Sequence, residues 1–310
     1  MRAAELRIRP RGSRALRVRV PGAAERSYPG WLEIGTQGER CRLVVHVPFE
    51  RYVEQVACYE IRGAGPEALE AQAVLVRSYA LAHLGRHAAE GFDFCDLTHC
   101  QVYPGDGACT AAQLESLRKV AGQVLLFEGE LADVAYFSTC GGHTASAADV
   151  WGGETARPYL QGVEDSREGR ALCARSDHLR WRFEVERDEL CAALRAKLPA
   201  AAGRCAVSIA ETGRGGWVRR VRIAGPGGEA SISGADFHLL MGRRFGWSRF
   251  KSGHFVVQAR GGRYVFLGRG LGHGVGMCQH GAMGLERAGA DHRAILEHYF
   301  PGTALGSLAR

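Results

Sequence analysis

Residues 268–281 read Gly-Arg-Gly-Leu-Gly-His-Gly-Val-Gly-Met-Cys-Gln-His-Gly, with a glycine at nearly every second position. Between the glycines lie the polar side chains of Arg269, His273, Gln279 and His280. Glycine weakens a strand, so such a run marks backbone that turns sharply or that another group approaches closely. The stretch predicts either a bulged strand that leads into a helix or one wall of a cleft for a bulky, hydroxyl-rich ligand. A reactive group elsewhere in the chain would favour the cleft.

The composition of the 310-residue chain is that of an ordinary globular protein, with 46% hydrophobic and 24% charged residues. This length allows one large domain or two moderate ones. No run of about 18 apolar residues occurs, so no transmembrane helix is expected. The formal net charge of +7 favours polyanions in general, such as nucleic acid, anionic lipid or an acidic cell-wall polymer, and a charge-rich solvated surface is the simpler interpretation. The chain has no basic helix, zinc-finger spacing or aromatic ribonucleoprotein motif, which argues against nucleic acid as a partner.

The N-terminal segment Met1–Arg14 is basic but is not followed by the apolar segment of a secretory signal. The sequence as given is therefore not expected to carry a signal peptide. By this criterion alone, the protein is cytoplasmic or its signal is missing from the sequence.

The pattern of apolar residues predicts an α+β fold. Alternation over about 5–45 indicates short antiparallel strands. Pro48 is expected to open a helix that runs through Cys58, and Pro66 a second helix that reaches about Ala88. Further helices are expected near 111–120, 187–197, 234–241, 282–289 and 292–299, and strands near 124–127, 134–138, 206–212, 218–223, 254–258 and 264–268. Because helices and strands do not alternate regularly, mixed antiparallel strands are expected rather than a doubly wound sheet.

Ten cysteines are more than such a chain needs. Three of them lie within apolar or helical patterns and are expected to pack as small hydrophobic residues: Cys58, Cys191 and Cys205. Without a signal peptide, metal ligation or burial is favoured over a disulfide framework.

One loop combines two thiols with an imidazole, in Cys95, His99 and Cys100. Thiolates and imidazoles are the usual zinc ligands, and Cys140 with His143 would complete a site if the two loops meet. A disulfide between Cys95 and Cys100 is the alternative.

Glu60 is the candidate catalytic residue. It is expected to end the first helix among apolar neighbours, where the helix dipole and burial both disfavour the charged carboxylate. A carboxyl group that stays protonated near neutral pH can act as a general acid. The alternative is a structural ion pair with Arg62 or Arg77.

The second helix places Arg77 and Tyr79 among small residues. A buried arginine requires a partner, and Glu60 or Glu70 are the candidates.

Three segments in this order resemble the stage II sporulation protein D family, which includes amidase-enhancer relatives. They are Val47–Ile61 with Pro66–Leu81, Ser138–Thr144 through Trp151 to Pro158-Tyr-Leu, and Gly268–Gly281 through His298 to Leu305. The resemblance implies a β-rich segment over 1–46 and a family-like domain over 47–310, with a more variable α/β insertion at about 165–265. It also implies two lobes with a glycan cleft between them.

The resemblance implies a lytic transglycosylase of the cell envelope. Such an enzyme cleaves peptide-free peptidoglycan strands between N-acetylmuramic acid and N-acetylglucosamine and leaves 1,6-anhydro ends. The family's catalytic acid corresponds to Glu60, although Cys58 and Tyr59 beside it depart from the family pattern. One carboxyl group is enough when a hydroxyl of the sugar replaces the attacking water.

The resemblance also assigns the other site residues. A zinc ion would be held by Cys95, His99 and Cys100, with Cys140 as a further ligand, and no organic cofactor is expected. Seven side chains would contact the sugar: Arg77, Tyr79, Gln101, Ser138, Arg269, His273 and Gln279. The expected partner is peptidoglycan, and the alternative function is that of a non-catalytic glycan-binding protein that recruits or stimulates a cell-wall amidase.

Overall fold

The computed structural model describes residues 6–12, 15–152 and 157–307, which form two compact units. The first unit holds the described residues up to Val134 together with Ala304–Ser307, and the second unit holds those between Ala135 and Thr303. The sequence placed a boundary after residue 46, whereas the compact units divide at Val134. Residues 1–5, in the basic N-terminal segment, and Gly153, in the second family motif, lie outside the described residues.

The first unit begins with short strands and continues with helices, as the sequence predicted. Its described elements up to Val134 are β1 (Leu6–Ile8), β2 (Leu16–Val18), β3 (Arg26–Tyr28), β4 (Trp31–Gln37), β5 (Arg40–His46), α1 (Phe49–Glu60), α2 (Pro66–Ala82), α3 (Ala111–Arg118), β6 (Gln123–Phe127) and β7 (Glu130–Leu131). Strands β1, β4 and β5 form an antiparallel sheet, and β2 pairs with β3.

Helices α1 and α2 begin at the predicted prolines and pack against each other. Pro66 occupies the first turn of α2, where a missing N–H costs nothing, and nearly every side chain of this alanine-rich helix is buried. The helix ends at Ala82 rather than near Ala88. His83 terminates it, since its N–H and its Nδ1 lie 3.1 and 2.9 Å from the carbonyl oxygen of Tyr79.

Among its described residues, the second unit combines five helices with two three-stranded antiparallel sheets and two pairs of short strands. Its elements are β8 (Tyr136–Phe137), α4 (Ala147–Trp151), β9 (Ser166–Arg167), β10 (Arg170–Ala171), β11 (Arg180–Glu186), α5 (Arg187–Arg195), β12 (Ala206–Thr212), β13 (Val218–Gly225), β14 (Gly228–Ser233), α6 (Gly234–Phe245), β15 (Phe255–Arg260), β16 (Arg263–Arg269), β17 (Met277–Cys278), α7 (Gln279–Arg287) and α8 (His292–Tyr299). The sheet orders are β12-β13-β14 and β11-β16-β15, and the pairs are β9–β10, which is antiparallel, and β8–β17, which is parallel. The α+β prediction is confirmed.

The second unit has an aromatic core. Phe183, Phe237, Phe250 and Phe266 are buried with ring centroids about 5–6 Å apart, the spacing of favourable edge-to-face pairs. The sequence prediction missed β11 and β14.

A last strand, β18 (Ala304–Ser307), belongs to the first unit and not to the second. It pairs antiparallel with β6, so that β18, β6 and β7 form one sheet.

The three cysteines predicted to pack as small hydrophobic residues, Cys58, Cys191 and Cys205, form disulfides instead. Cys58 is bonded to Cys109 and Cys191 to Cys205, with Cα atoms 5.4 and 5.7 Å apart. Both pairs are brought within bridging distance by the fold, which the sequence pattern does not reveal. Cys95 and Cys100 are free thiols, so the alternative disulfide in their loop is not formed.

None of the helices among the described residues is long and apolar enough to span a bilayer.

Candidate functional site

Glu60 is the last residue of α1, as the sequence predicted, but it is partly exposed rather than buried. Both arginines suggested as its partner make contacts with other residues. Arg62 lies over the ring of Tyr59, with its guanidinium carbon 4.2 Å from the ring centroid. Arg77 donates to both carboxylate oxygens of Glu50, at 2.8 and 2.7 Å.

The prediction that Glu60 or Glu70 balances Arg77 is therefore wrong. The guanidinium of Arg77 is 1% exposed, and its remaining contact is the carbonyl oxygen of Gln123 at 2.8 Å. Glu70 instead accepts from the hydroxyl of Ser116 at 2.5 Å. Arg77 thus ties α2 to the start of α1 and to β6, which is a structural role.

Tyr52 links α1 to the loop that carries the cysteines. Its hydroxyl donates to Oε1 of Gln101 at 2.9 Å, and both residues are buried. Burial raises the pKa of Tyr52 above its ordinary value, and the charges of Cys100, Tyr79, Glu60 and Cys95 add to this effect.

The cysteine loop forms a group of four potential metal ligands, which we call the loop group: His87, Cys95, His99 and Cys100. Their ligand atoms all lie within 4.8 Å of one another. Sγ of Cys100 is 3.4 Å from Nε2 of His87 and 3.5 Å from Nδ1 of His99. Two thiols and two imidazoles are a common donor set of zinc sites.

His87 was not predicted, because the sequence placed it within an α2 that reached Ala88. The helix ends five residues before it, and His87 lies in the turn that follows. Its Nδ1 is 2.5 Å from Oε1 of Glu90, which leaves Nε2 directed at Cys100. A carboxylate behind an imidazole is the usual arrangement that orients a histidine ligand.

Of the side chains expected to contact sugar, Tyr79 and Gln101 lie in this region of the first unit. The hydroxyl of Tyr79 accepts from Arg86 at 2.7 Å, and its ring stacks on His83. Tyr79 is partly exposed, and burial raises its pKa.

Cys140 belongs to the second unit, in a group that the sequence did not predict. We call it the buried group: Cys140, Asp165, Cys173 and Cys278, all 0% exposed. The sequence assigned Cys140 to the loop of Cys95; the structure has His87 as the fourth member of the loop group and Cys140 among these other ligands. His143, also suggested for the loop, bonds through Nδ1 to the carbonyl of Thr144 at 2.7 Å.

The glycine-rich stretch joins β16 to β17 and α7. It therefore corresponds to the first of the two predictions, a strand that leads into a helix. Gly270 and Gly276 have φ values of +78° and +77°, which favour glycine. A Cβ at either position would collide with backbone, the carbonyl oxygens of Thr139 and Ala135. The groups that approach these two glycines closely are thus backbone carbonyls of the protein itself.

His273 fixes this stretch through backbone contacts. Its Nε2 lies 3.1 Å from the carbonyl oxygen of Tyr136, and its Nδ1 accepts from the N–H of Val275 at 3.1 Å. Burial lowers the pKa of His273 to about 4, so the ring is neutral at pH 7. Both ring nitrogens are engaged in holding the turn.

The other side chains of the second unit that were expected to contact sugar lie in different surroundings. Arg269 ends β16 and is exposed, and Gln279 begins α7 and is buried. The hydroxyl of Ser138 lies 3.2 Å from that of Thr139.

An open groove of about 480 Å³ lies beside α4 in the second unit. Trp151, 49% exposed, forms part of its lining. Asp149, Arg219 and Asp236 also line it, and Nε of Arg219 lies 3.0 Å from Oδ1 of Asp149. An exposed indole beside charged hydrogen-bonding groups suits the apolar face and the hydroxyls of a sugar ring.

A family model described as stage II sporulation protein, SpoIID, matches residues 37–127. An uncharacterized protein of Brachyspira hyodysenteriae is 28% identical over 89% of this chain and 71% of its own length. Stage II sporulation protein D of Bacillus amyloliquefaciens is 28% identical over 84% of this chain and 74% of its own length. The amidase enhancer of Bacillus subtilis is 26% identical over 78% of this chain, but the match spans only 38% of that protein.

Proposed function

Because this chain belongs to the stage II sporulation protein D and amidase-enhancer family, we propose that it is a lytic transglycosylase of the bacterial cell wall. Its substrate would be peptidoglycan strands without stem peptides, cleaved between N-acetylmuramic acid and N-acetylglucosamine. The observation that carries the proposal is that α1, which ends at Glu60, is joined by the hydrogen bond from Tyr52 to Gln101 to the loop that carries the loop group.

Glu60 acts as both acid and base in this scheme. Its carboxyl proton passes to the glycosidic oxygen as the bond from that oxygen to C1 of N-acetylmuramic acid breaks. The C6 hydroxyl oxygen of the same sugar forms the new bond to C1, and its proton returns to the carboxylate. The products are a 1,6-anhydro end and a free C4 hydroxyl on the next sugar. The intramolecular attack removes the need for a second carboxylate that activates water.

The loop group fits a zinc ion, which His87, Cys95, His99 and Cys100 would hold. Four protein ligands leave no open position, so the ion would supply a cross-link of the loop rather than a Lewis acid. Gln101 directly follows Cys100 and accepts from Tyr52. A loop held at Cys100 would therefore keep Gln101 and Tyr52 in place, and with them the packing of the loop on α1.

An extracytoplasmic location is part of the proposal. Disulfides persist in oxidising compartments, and each unit contains one. The substrate is found in the same compartment.

The test is incubation of the purified protein with amidase-treated peptidoglycan, followed by mass spectrometry of the products. We expect 1,6-anhydro products from the unsubstituted chain and a loss of at least about 100-fold with Glu60→Gln, the lower range for general acid–base catalysis. Glu115→Gln, which changes an exposed glutamate of α3, is the matched control and should retain activity. Absence of anhydro products, or equal activity of Glu60→Gln, would contradict the proposal.

A second candidate function is glycan binding that stimulates an amidase. It is supported by the groove beside Trp151 and by the similarity to a protein named amidase enhancer. This function predicts that the protein is pulled down by denuded glycan without turnover. Binding would then be weakened by Trp151→Ala and unaffected by Glu60→Gln.

A further inference from the structure

We propose that the buried group is a structural zinc site of the second unit, formed by the thiolates of Cys140, Cys173 and Cys278 and one oxygen of Asp165. The four residues come from separate parts of the unit. Cys140 follows β8, Asp165 precedes β9, Cys173 follows β10, and Cys278 ends β17 at the start of α7. The fold therefore gathers them to one point, and all four are 0% exposed.

The spacing of the ligand atoms suits one tetrahedral ion. All four lie within 4.8 Å of one another, with 3.6 Å between the sulfurs of Cys140 and Cys173. Bonds of about 2.3 Å from zinc to sulfur place the corners of a tetrahedron about 3.8 Å apart. Sγ of Cys140 is 2.9 Å from Oδ2 of Asp165, which is closer than this spacing, so a bound ion would separate these two atoms slightly.

Backbone N–H groups are directed at two of the sulfurs. Sγ of Cys278 accepts from the backbone N–H groups of Cys140 and Gly281, each at 3.2 Å. Sγ of Cys140 accepts from the N–H of Gly142 at 3.2 Å. The same two sulfurs also donate, Sγ of Cys140 to Oδ2 of Asp165 and Sγ of Cys278 to the carbonyl oxygen of Ser138, and a bound ion would take the place of these two protons. N–H groups directed at sulfur stabilise negative charge on it, as they do around metal-bound thiolates.

Hydrogen bonds also orient the carboxylate of Asp165. Its Oδ1 accepts from the hydroxyl of Tyr299 at 2.7 Å and lies 3.3 Å from Nε2 of His298. The other oxygen, Oδ2, faces the thiols. A carboxylate held by one oxygen and offered by the other is the usual state of a ligating aspartate with supporting hydrogen bonds.

The ligand types of the buried group indicate which ion it would bind. Three sulfurs favour zinc over magnesium or calcium, which prefer oxygen ligands. Burying a carboxylate among apolar neighbours is costly unless a cation or a hydrogen bond compensates it, and a bound Zn²⁺ supplies the cation. Four protein ligands and no exposure to water describe a closed, structural site.

The ion would hold together segments that are distant in the chain. Cys140 and Cys278 are 138 residues apart and flank the contact between the Ser138–Gly142 segment and the glycine-rich stretch. Zinc at this point would fix the start of α7, and with it Gln279.

The test isolates this site in a full chain with Cys95→Ser and Cys100→Ser, which removes the thiols of the loop group. After purification with zinc and desalting, we expect one zinc ion per chain by elemental analysis. Adding Cys173→Ser should reduce the content to near zero. Adding Cys41→Ser, which changes an exposed free cysteine outside both groups, should leave it unchanged.

A second measurement does not depend on the folding of the Cys173→Ser chain. Co²⁺ in the Cys95→Ser, Cys100→Ser chain is expected to give the visible absorption of a tetrahedral ion and strong bands of thiolate-to-cobalt charge transfer. Addition of a chelator should abolish these bands and allow iodoacetamide to alkylate Cys140, Cys173 and Cys278. A metal-free protein that takes up neither ion, or peptides joined by a Cys140–Cys173 disulfide, would overturn the proposal.

Discussion

Tyr52 and Gln101 are joined by a buried hydrogen bond of 2.9 Å, which connects α1 to the cysteine loop. The tyrosine ring also lies 5.3 Å from that of Tyr103, in the same loop. This bond is a point at which α1, which ends at Glu60, and the cysteine loop depend on each other.

Tyr52→Phe is expected to lower the free energy of unfolding by about 1–3 kcal/mol, since it leaves a buried amide oxygen without this donor. If the proposed function holds, release of anhydro products should also fall, because Gln101 loses its orientation. Tyr103→Phe is the matched control: the hydroxyl of Tyr103 is buried and has no hydrogen-bond partner among the described residues. Urea denaturation should show this control to be neutral or slightly stabilising. Equal effects of the two changes would refute the role given to the Tyr52–Gln101 bond.

The two disulfides should differ in what they contribute to stability. The Cys58–Cys109 bond spans 51 residues and the Cys191–Cys205 bond spans 14. Chain-entropy arguments give about 4 kcal/mol for the first and about 3 kcal/mol for the second. Replacing each pair by serine and measuring unfolding in urea is expected to preserve this order. A larger loss from the 191/205 pair would show that strain or residual structure outweighs loop length.

Glu50→Gln tests the structural role of Arg77. The change leaves a buried guanidinium without its carboxylate and is expected to cost about 2–4 kcal/mol, below the 3–5 kcal/mol typical of fully buried pairs because Glu50 is 44% exposed. A double-mutant cycle with Arg77→Met should give a coupling of at least about 1 kcal/mol. Glycan pull-down by the folded Glu50→Gln protein should be unchanged. Weaker glycan binding with no loss of stability would instead return Arg77 to the list of sugar contacts.

The second unit should lose stability in mild acid. Burial lowers the pKa values of His238 and His273 to about 4, from an ordinary value of 6.5. The unfolded chain therefore binds these protons first, so stability is full above pH 6.5 and falls as the pH drops towards 4. The slope is at most about 1.4 kcal/mol per pH unit for each histidine.

Denaturation midpoints between pH 7 and 4 measure this effect. His238→Phe places an apolar ring beside Trp247 and Phe250 and should reduce the slope. His46→Phe, in the first unit, should not. A slope unchanged by His238→Phe would rule out protonation of His238 as a cause.

The sequence predicted best the elements whose ends are fixed by a local signal. Pro48 and Pro66 set the starts of α1 and α2 because a proline fixes its own φ and lacks an N–H, whatever surrounds it. The end of α2 has no such signal, since His83, whose Nδ1 lies 2.9 Å from the carbonyl oxygen of Tyr79, is a residue type that also occurs inside helices. That error of about six residues also concealed His87.

Two other errors have different origins. The strand β11 was missed although its sequence, Arg-Trp-Arg-Phe-Glu-Val-Glu, alternates regularly and buries Trp181, Phe183 and Val185. The buried group could not be found from spacing, because Asp165 and Cys173 lie in a stretch that reads as loop and meet Cys278 only through tertiary structure. Disulfide partners 51 residues apart are hidden for the same reason.

The return of the chain to the first unit at Ala304 has a consequence for synthesis. Strand β18 is made only after the ribosome has passed through all of the second unit, yet it completes the sheet of β6 and β7. Domains that are contiguous in sequence can fold in the order in which they emerge. Here the first unit has to wait, with one side of β6 unpaired, until the residues near 305 leave the ribosome. A nascent chain halted at residue 303 should accordingly be more sensitive to protease within the first unit than one released at full length.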